Sequence, residues 1–147
     1  MDAACKALGR QINIMEVCGT HTVAIFRNGI RSVLPDSIKL LSGPGCPVCV
    51  TDQSYIDNLL ELADRDDCLI ATYGDMIRVP GKSGSLETKQ RASNIKIVLS
   101  SEDALQLARE NPDKTIVFAA VGFETTTPAT AVVVKEADKE GIKTFAF

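Results

Sequence analysis

Residues 52–65 read DQSYIDNLLELADR, and residues 68–72, which follow closely, read CLIAT. Apolar side chains recur at helical spacing along the first of these segments, at Tyr55, Ile56, Leu59, Leu60, Leu62 and Ala63. This spacing predicts a helix, and Ser54 with Asp57 resembles the capping box that begins one. The second segment has the length and apolar composition of a strand. A helix that leads into an apolar strand is typical of α/β folds.

The same alternation continues in both directions along the chain. Two more segments predict helices: Ser101 to Glu110, with Ser101 as N-cap, and Pro128 to Glu140, with Thr127 as N-cap and Gly141 as the stop. Five further apolar segments predict strands, over residues 12–17, 38–41, 95–99, 115–121 and 144–147. The alternation indicates an α/β fold, in which a parallel sheet has helices on both faces.

We expect two lobes. Residues 1–100 form a first α/β lobe that carries the cysteine motifs, and residues 101–147 begin a second, similar lobe. The last predicted strand, residues 144–147, has no helix after it, which leaves an apolar sheet element poorly supported. We therefore expect the chain to be a fragment, truncated within the second lobe.

The composition excludes several classes of protein. Of the 147 residues, 45% are apolar and 24% are charged, which is typical of a globular domain and not of a disordered or fibrous chain. The net charge of −3 and the absence of a lysine and arginine cluster argue against nucleic acid as a partner. No apolar run approaches the ~20 residues of a membrane span, and no signal peptide opens the chain, so we expect a cytoplasmic protein. In that reducing compartment the five cysteines are expected to be metal ligands or redox groups.

Four of the predicted strands are followed by loops with unusual residues. In chain order these loops contain Cys18 and His21, then Cys46 and Cys49, then Asp75 and Arg78, and finally Glu124 and Thr125. In a parallel sheet the carboxyl ends of the strands lie at one edge, where ligands bind. We therefore expect the three thiols, the sole histidine and the charged side chains to share one neighbourhood.

The cysteine spacing leaves three kinds of site open. Cys46 and Cys49 form a C-x-x-C pair ahead of a helix start, where thiolates are stabilised, and this favours redox or metal chemistry over buried structural thiols. Together with Cys18 and His21 the pair could form a Cys₃His zinc module for protein interaction. Alternatively, the pair alone could serve a thioredoxin-like dithiol oxidoreductase. His21 is as consistent with a helix-capping histidine as with a ligand. Cys5 and Cys68 are expected to lie outside any site.

The polar residues of the later loops also have ordinary explanations. Asp75 and Arg78 could form a surface ion pair, and Glu124 could serve only to begin a helix. The place of Asp75 and Arg78 after a strand end favours a binding role, whereas for Glu124 both interpretations stay open. Gly81-Lys82-Ser83 is not a phosphate-binding P-loop, because Met76 occupies the position where that motif needs glycine.

Four motifs in this order resemble the HypD family of [NiFe] hydrogenase maturation factors. They are MEVCGTHT at 15–22, GPGCPVCV at 43–50, YGDMIRVPG at 73–81 and GFETT at 122–126. The resemblance implies a scaffold on which iron receives cyanide and carbon monoxide to form an Fe(CN)₂CO group. It also implies two partners, a HypC-like small chaperone and a HypE-like cyanide donor. The chain itself would then assemble a metal group and have a redox role, and would not be a metabolic enzyme.

The resemblance assigns roles to the residues of these motifs. Cys18 would be the iron ligand, shared with a cysteine of HypC, and His21 its neighbour. Cys46 and Cys49 would be a thiol/disulfide pair that supplies or gates electrons. The cleft would be lined by Asp75, Arg78, Glu124 and Thr125.

Two features depart from the family pattern. Many relatives carry a second histidine where this chain has Val23, so a mechanism with two imidazoles is not expected here. Family members also continue into a cysteine-rich segment that holds a [4Fe–4S] cluster, and the 147 residues do not include its ligands.

Overall fold

All six strands that the structure describes are parallel, and they form two sheets. The structure is a computed structural model that describes residues 2–89 and 94–147. In the first sheet β1 (Ile12–Glu16) pairs with β2 (Ile38–Ser42). The second sheet has the order β4-β3-β5-β6, formed by β3 (Cys68–Thr72), β4 (Ile95–Ile97), β5 (Thr115–Ala119) and β6 (Phe145–Ala146). The α/β class is confirmed, with the difference that two sheets take the place of the single expected sheet.

Helices alternate with these strands. They are α1 (Asp2–Leu8), α2 (Gly19–Arg27), α3 (Ile30–Val33), α4 (Pro47–Val50), α5 (Gln53–Ala63), α6 (Leu86–Lys89), α7 (Ser101–Glu110) and α8 (Thr127–Lys139), with a 3₁₀ turn at Met76–Arg78. None of the described helices is both long enough and apolar enough to cross a membrane. The three helices expected from the sequence are α5, α7 and α8, each within two residues of its predicted bounds.

The chain divides into two compact units, Met1–Val50 and Thr51–Phe147. The first unit contains β1 and β2, and the second contains the four-stranded sheet. The expected lobes, residues 1–100 and 101–147, stay a prediction.

The second unit is built around β3, which is buried along its whole length. Leu69 and Ala71 on one face of this strand pack with Phe118 of β5 and with Ala104 and Ala108 of α7. Helix α5 also contacts β3 and buries its apolar stripe, at Ile56, Leu59, Leu60 and Ala63. A central parallel strand is covered in this way on both faces, which explains why CLIAT is continuously apolar.

The N-caps of the helices differ from the predicted ones by one or two residues. Helix α5 is capped by Asp52, whose carboxylate accepts the Ser54 N–H at 2.8 Å, so the predicted pairing of Ser54 with Asp57 is wrong. Helix α7 is capped by Ser100, because Asp103 three residues later can complete a reciprocal capping box, whereas the predicted cap, Ser101, is buried.

The end of α8 follows the prediction, although its start does not. Thr126, one residue before the predicted cap, is the N-cap. At the other end Gly141 has a φ of 72°, and its N–H donates to Asp138 O while Ile142 N–H donates to Ala137 O. This pair of bonds is a Schellman motif, which needs the left-handed conformation that glycine adopts at no steric cost.

Candidate metal centre

The two loops that carry the thiols begin at the same edge of the first sheet. Glu16, the last residue of β1, is paired in register with Ser42, the last residue of β2. Cys18 follows the first strand, and Cys46 and Cys49 follow the second. The parallel register therefore brings together residues that are 28 and 31 positions apart in the sequence.

Two glycines allow the loop after β2 to take its path. A Cβ at Gly43 would overlap the carbonyl oxygen of Glu16, so only glycine permits this approach of the two backbones. Gly45 has a φ of 103°, in the left-handed region that side chains other than glycine rarely adopt. The Gly-Pro-Gly run before Cys46 is thus required by the backbone that delivers the C-x-x-C pair.

The sulfurs of Cys18, Cys46 and Cys49 form a triangle. Cys18 Sγ lies 3.6 Å from Cys46 Sγ and 3.5 Å from Cys49 Sγ, and the sulfurs of Cys46 and Cys49 are 3.2 Å apart. All three cysteines are free thiols. Within residues 2–89 and 94–147 no other group of three or more histidine, cysteine or carboxylate side chains is close enough to hold a metal ion. The predicted convergence of these thiols is therefore found.

The thiols of Cys18 and Cys49 differ in acidity. Cys18 is the N-cap of α2, and its sulfur lies 3.5 Å from the Thr20 hydroxyl. Hydrogen bonds from the Thr20 hydroxyl and backbone N–H to the thiolate, with smaller ones from Cys49 and Cys46, lower the pKa of Cys18 to about 6. The neighbouring Cys46 and Cys18 sulfurs raise the pKa of Cys49. Of these two thiols, Cys18 is therefore the one that ionises at the lower pH.

A carboxylate that sequence reasoning missed connects the two segments that carry the triangle. Glu16 accepts a hydrogen bond from the Thr22 hydroxyl with one oxygen and from Gly43 N–H, at 3.0 Å, with the other. Hydrogen bonds from Thr22 first, and also from Ser42 and Gly43, lower the pKa of Glu16 despite partial burial. The only signal in the sequence was an acidic residue at the end of an apolar strand, two residues before Cys18.

His21 belongs to α2 but not to the triangle. Its backbone N–H donates to Cys18 O at 2.8 Å in the first turn of the helix, and its side chain is exposed. The group of mutually close ligand atoms contains the three sulfurs without a ring nitrogen of His21. The geometry therefore offers three thiols and not the Cys₃His set, and the role of His21 stays a prediction.

The remaining candidate residues all lie in the second unit and are exposed. Asp75 and Arg78 follow β3, whereas Glu124 and Thr125 follow β5. Because β3 and β5 are adjacent parallel strands that end at Thr72 and Ala119, these two loops begin at the same edge of the four-stranded sheet. The four loops were expected at the edge of one sheet. They are instead divided between two sheets, because the strands that precede them belong to two sheets.

The alternative interpretation, a surface ion pair between Asp75 and Arg78, is not what the structure has, because Arg78 pairs with Glu87. Arg78 Nε lies 3.3 Å from Glu87 Oε1, and not against Asp75. The two side chains are 76% and 50% exposed, so the pair adds little to stability. Binding roles for Asp75, Arg78, Glu124 and Thr125 stay predictions.

The two other cysteines are outside the triangle, as expected. Cys68 is a core residue of β3, and Cys5 is buried in α1. Burial raises the pKa of the Cys68 thiol. This thiol therefore stays protonated at neutral pH.

Comparison with known proteins gives relatives that are all named for hydrogenase expression, formation or maturation. The family model HypD, described as "Hydrogenase formation hypA family", matches residues 1–147. The hydrogenase expression/formation protein HupD of Azotobacter chroococcum mcd 1 is 48% identical over 139 residues, which is 93% of this chain and 37% of that protein. Hydrogenase maturation factor HypD of Escherichia coli (strain K12) is 46% identical over 139 residues, with coverages of 94% and 37%. The HypD of Azotobacter vinelandii is 47% identical over 139 residues, with coverages of 93% and 37%.

The chain spans little more than a third of the length of these relatives. The match nevertheless extends over nearly all of the chain's own residues, including the four motifs from which the resemblance was inferred. The chain therefore belongs to the HypD family of hydrogenase maturation factors.

Proposed function

We propose that this chain is the iron-binding part of a scaffold on which the Fe(CN)₂CO group of [NiFe] hydrogenase is assembled, with iron as the substrate that it holds. One observation carries the proposal: three thiols from two separate loops lie with their sulfurs 3.2 to 3.6 Å apart. Membership of a family whose relatives are named hydrogenase maturation factors supports the same assignment.

The sulfur triangle has nearly the dimensions of a metal site. A tetrahedral ion with metal–sulfur bonds of about 2.3 Å, as in zinc sites, holds its sulfurs about 3.8 Å apart. The separations in this chain need to widen by only a few tenths of an ångström to admit one ion. Thiolates are soft ligands, and soft ligands suit low-valent iron that also carries cyanide and carbon monoxide.

The three thiols have different roles in this proposal. Cys18 is the permanent iron ligand, because it comes alone from the loop after β1 and hydrogen bonds from Thr20 lower the pKa of its thiol to about 6. Cys46 and Cys49 complete the sulfur triangle only in their reduced form and also exchange electrons: when they close to a disulfide, two S–H bonds break and one S–S bond forms. The two electrons would pass one at a time to a one-electron acceptor, such as the iron–sulfur cluster that the resemblance implies for longer family members, and the two protons would pass to water.

The proposal includes partners and further residues. A HypC-like chaperone would add a cysteine ligand to the iron, and a HypE-like protein would deliver cyanide. His21 would serve as a hydrogen-bond donor near the iron. Asp75, Arg78, Glu124 and Thr125 would supply polar contacts during ligand attachment, since donors such as guanidinium stabilise negative charge on bound cyanide.

Iron binding by defined variants tests the proposal. The full chain is prepared without oxygen, titrated with ferrous iron, and examined for infrared bands in the cyanide and carbonyl region after co-purification with the two partners. We expect Cys18→Ala to abolish iron binding. Cys5→Ala should bind like wild type, because Cys5 is buried in α1, outside the triangle. Iron binding that survives loss of the Cys18 thiol would contradict the proposal.

The same preparation separates the two rival functions. Tight stoichiometric zinc that depends on His21 as well as on the three cysteines would indicate a structural Cys₃His module. Dithiol exchange at Cys46 and Cys49, unaffected by Cys18→Ala and without iron binding, would indicate a dithiol oxidoreductase.

A further inference from the structure

Glu16 connects the two segments that carry the sulfur triangle. It is the last residue of β1 and is half-buried. One carboxylate oxygen accepts a hydrogen bond from the Thr22 hydroxyl, and the other accepts Gly43 N–H at 3.0 Å. Both oxygens are thus used, each by a different segment of the chain.

Each of these contacts is made to a segment that carries a thiol. Thr22 belongs to the first turn of α2, and its backbone N–H donates to Cys18 O at 3.3 Å. Gly43 begins the loop that leads to Cys46 and Cys49. The register of β1 with β2 ends at Glu16 and Ser42, so beyond that point a side chain helps to keep the two loops together.

We propose that Glu16 is a positioning residue that sets how closely Cys18 approaches Cys46 and Cys49. The inference rests on the proposed function only in assuming that this triangle is the working site. A carboxylate suits this place because it accepts at both oxygens. Glutamine has the same size but only one accepting oxygen. If its NH₂ group faces Gly43 N–H, the two groups meet donor to donor, and if it faces Thr22, the hydroxyl must accept, so in either orientation no charged acceptor remains.

The proximity of the thiols can be measured without a metal. In a Cys46→Ser background, Cys18 and Cys49 react with glutathione disulfide to give one protein disulfide and two glutathione thiols. The equilibrium constant gives the effective concentration of one thiol at the other. We expect Glu16→Gln to lower this effective concentration about fivefold or more, because hydrogen bonds to a charged acceptor are replaced by weaker bonds to a neutral one.

Two sets of controls separate positioning from general destabilisation. Asp36→Asn removes an exposed carboxylate of the same unit and should leave the effective concentration unchanged. Thr22→Val, which lacks the hydroxyl, should lower it, whereas Thr22→Ser, which keeps the hydroxyl, should restore it. This valine and serine pair decides the matter even if Glu16→Gln fails to fold. Equal values for Thr22→Val and Thr22→Ser, or for Glu16→Gln and Asp36→Asn, would overturn the proposal.

A cobalt titration of the chain with all three thiols distinguishes this inference from the proposed function. Thiolate-to-cobalt charge-transfer absorption that disappears in Cys18→Ala is expected of a metal site, and about fivefold weaker binding is expected in Glu16→Gln. Absence of the absorption in the wild-type chain would count against the proposed function alone, since the disulfide equilibrium still tests Glu16 independently.

Discussion

At Gly43 the loop after β2 passes so close to β1 that its N–H reaches the Glu16 carboxylate and a Cβ would overlap the Glu16 carbonyl oxygen. The Glu16 carbonyl belongs to backbone, which cannot rotate away as the end of a long side chain can. A single methyl group at this position must therefore push the two loops apart, and with them the sulfurs that they carry.

Gly43→Ala is accordingly expected to destabilise the first unit by about 2 kcal/mol or more, in the range of overpacked interiors. Gly19→Ala is the matched control, because a Cβ there meets nothing within 4 Å and Gly19 lies in the first turn of α2. The control should fold as well as wild type or slightly better. Denaturant unfolding, followed by the NMR amide signals of β1 and β2, measures the free energy of unfolding of both variants. Equal stability of the two would contradict this account of Gly43.

For individual residues, the sequence predicted which thiols converge but not which side chain holds their loops together. Cys18, Cys46 and Cys49 were identified because thiols after strand ends have few other uses in a reducing compartment. Glu16 was missed because its partners are a hydroxyl in the next helix and a backbone N–H that is 27 residues away. Such contacts depend on strand register, which leaves no local trace in the residues concerned.

The helix α5 has a second function beyond covering β3, since it fixes the loop of residues 79–84. Asp57, whose side chain is 14% exposed, accepts the Lys82 N–H at 2.8 Å with Oδ1. Its Oδ2 lies 3.3 Å from Lys82 Nζ as an ion pair without hydrogen-bond geometry. The predicted capping role for Asp57 was wrong because this loop, distant in sequence, uses the carboxylate.

Asp57→Ala should therefore cost about 1 to 3 kcal/mol, because it leaves the Lys82 N–H without its partner. Lys82→Ala keeps that backbone N–H and removes only an amine that is 84% exposed, so it should change stability by less than about 0.5 kcal/mol. Thermal unfolding of the two variants measures the difference. A lysine variant as destabilised as the aspartate variant would show that the ion pair, and not the backbone bond, holds the loop.

Over the whole molecule, the alternation of helices and apolar strands predicted the α/β class but not the division into two sheets. Each strand is apolar enough to pair with any other, so neither composition nor length states which strands become neighbours. The two units also differ in how much of their side chains is buried. In the described part of the first unit Cys5 is the one buried side chain, while Ile14 and Met15 of β1 are 48% and 58% exposed.

This inequality predicts two levels of hydrogen-exchange protection. Amides of β3 and β5 in the well-packed unit should exchange slowly, through global unfolding, whereas amides of β1 and β2 should exchange faster, through local opening. Metal bound to the three thiols stabilises only states in which the loops are together, so saturating cobalt should slow exchange in β1 and β2 and leave β3 and β5 nearly unchanged. Hydrogen-exchange mass spectrometry measures both, with Cys18→Ala as the variant in which cobalt should have no effect. If cobalt raised protection equally in both units, or raised it in Cys18→Ala, cobalt would be acting at a site other than the sulfur triangle.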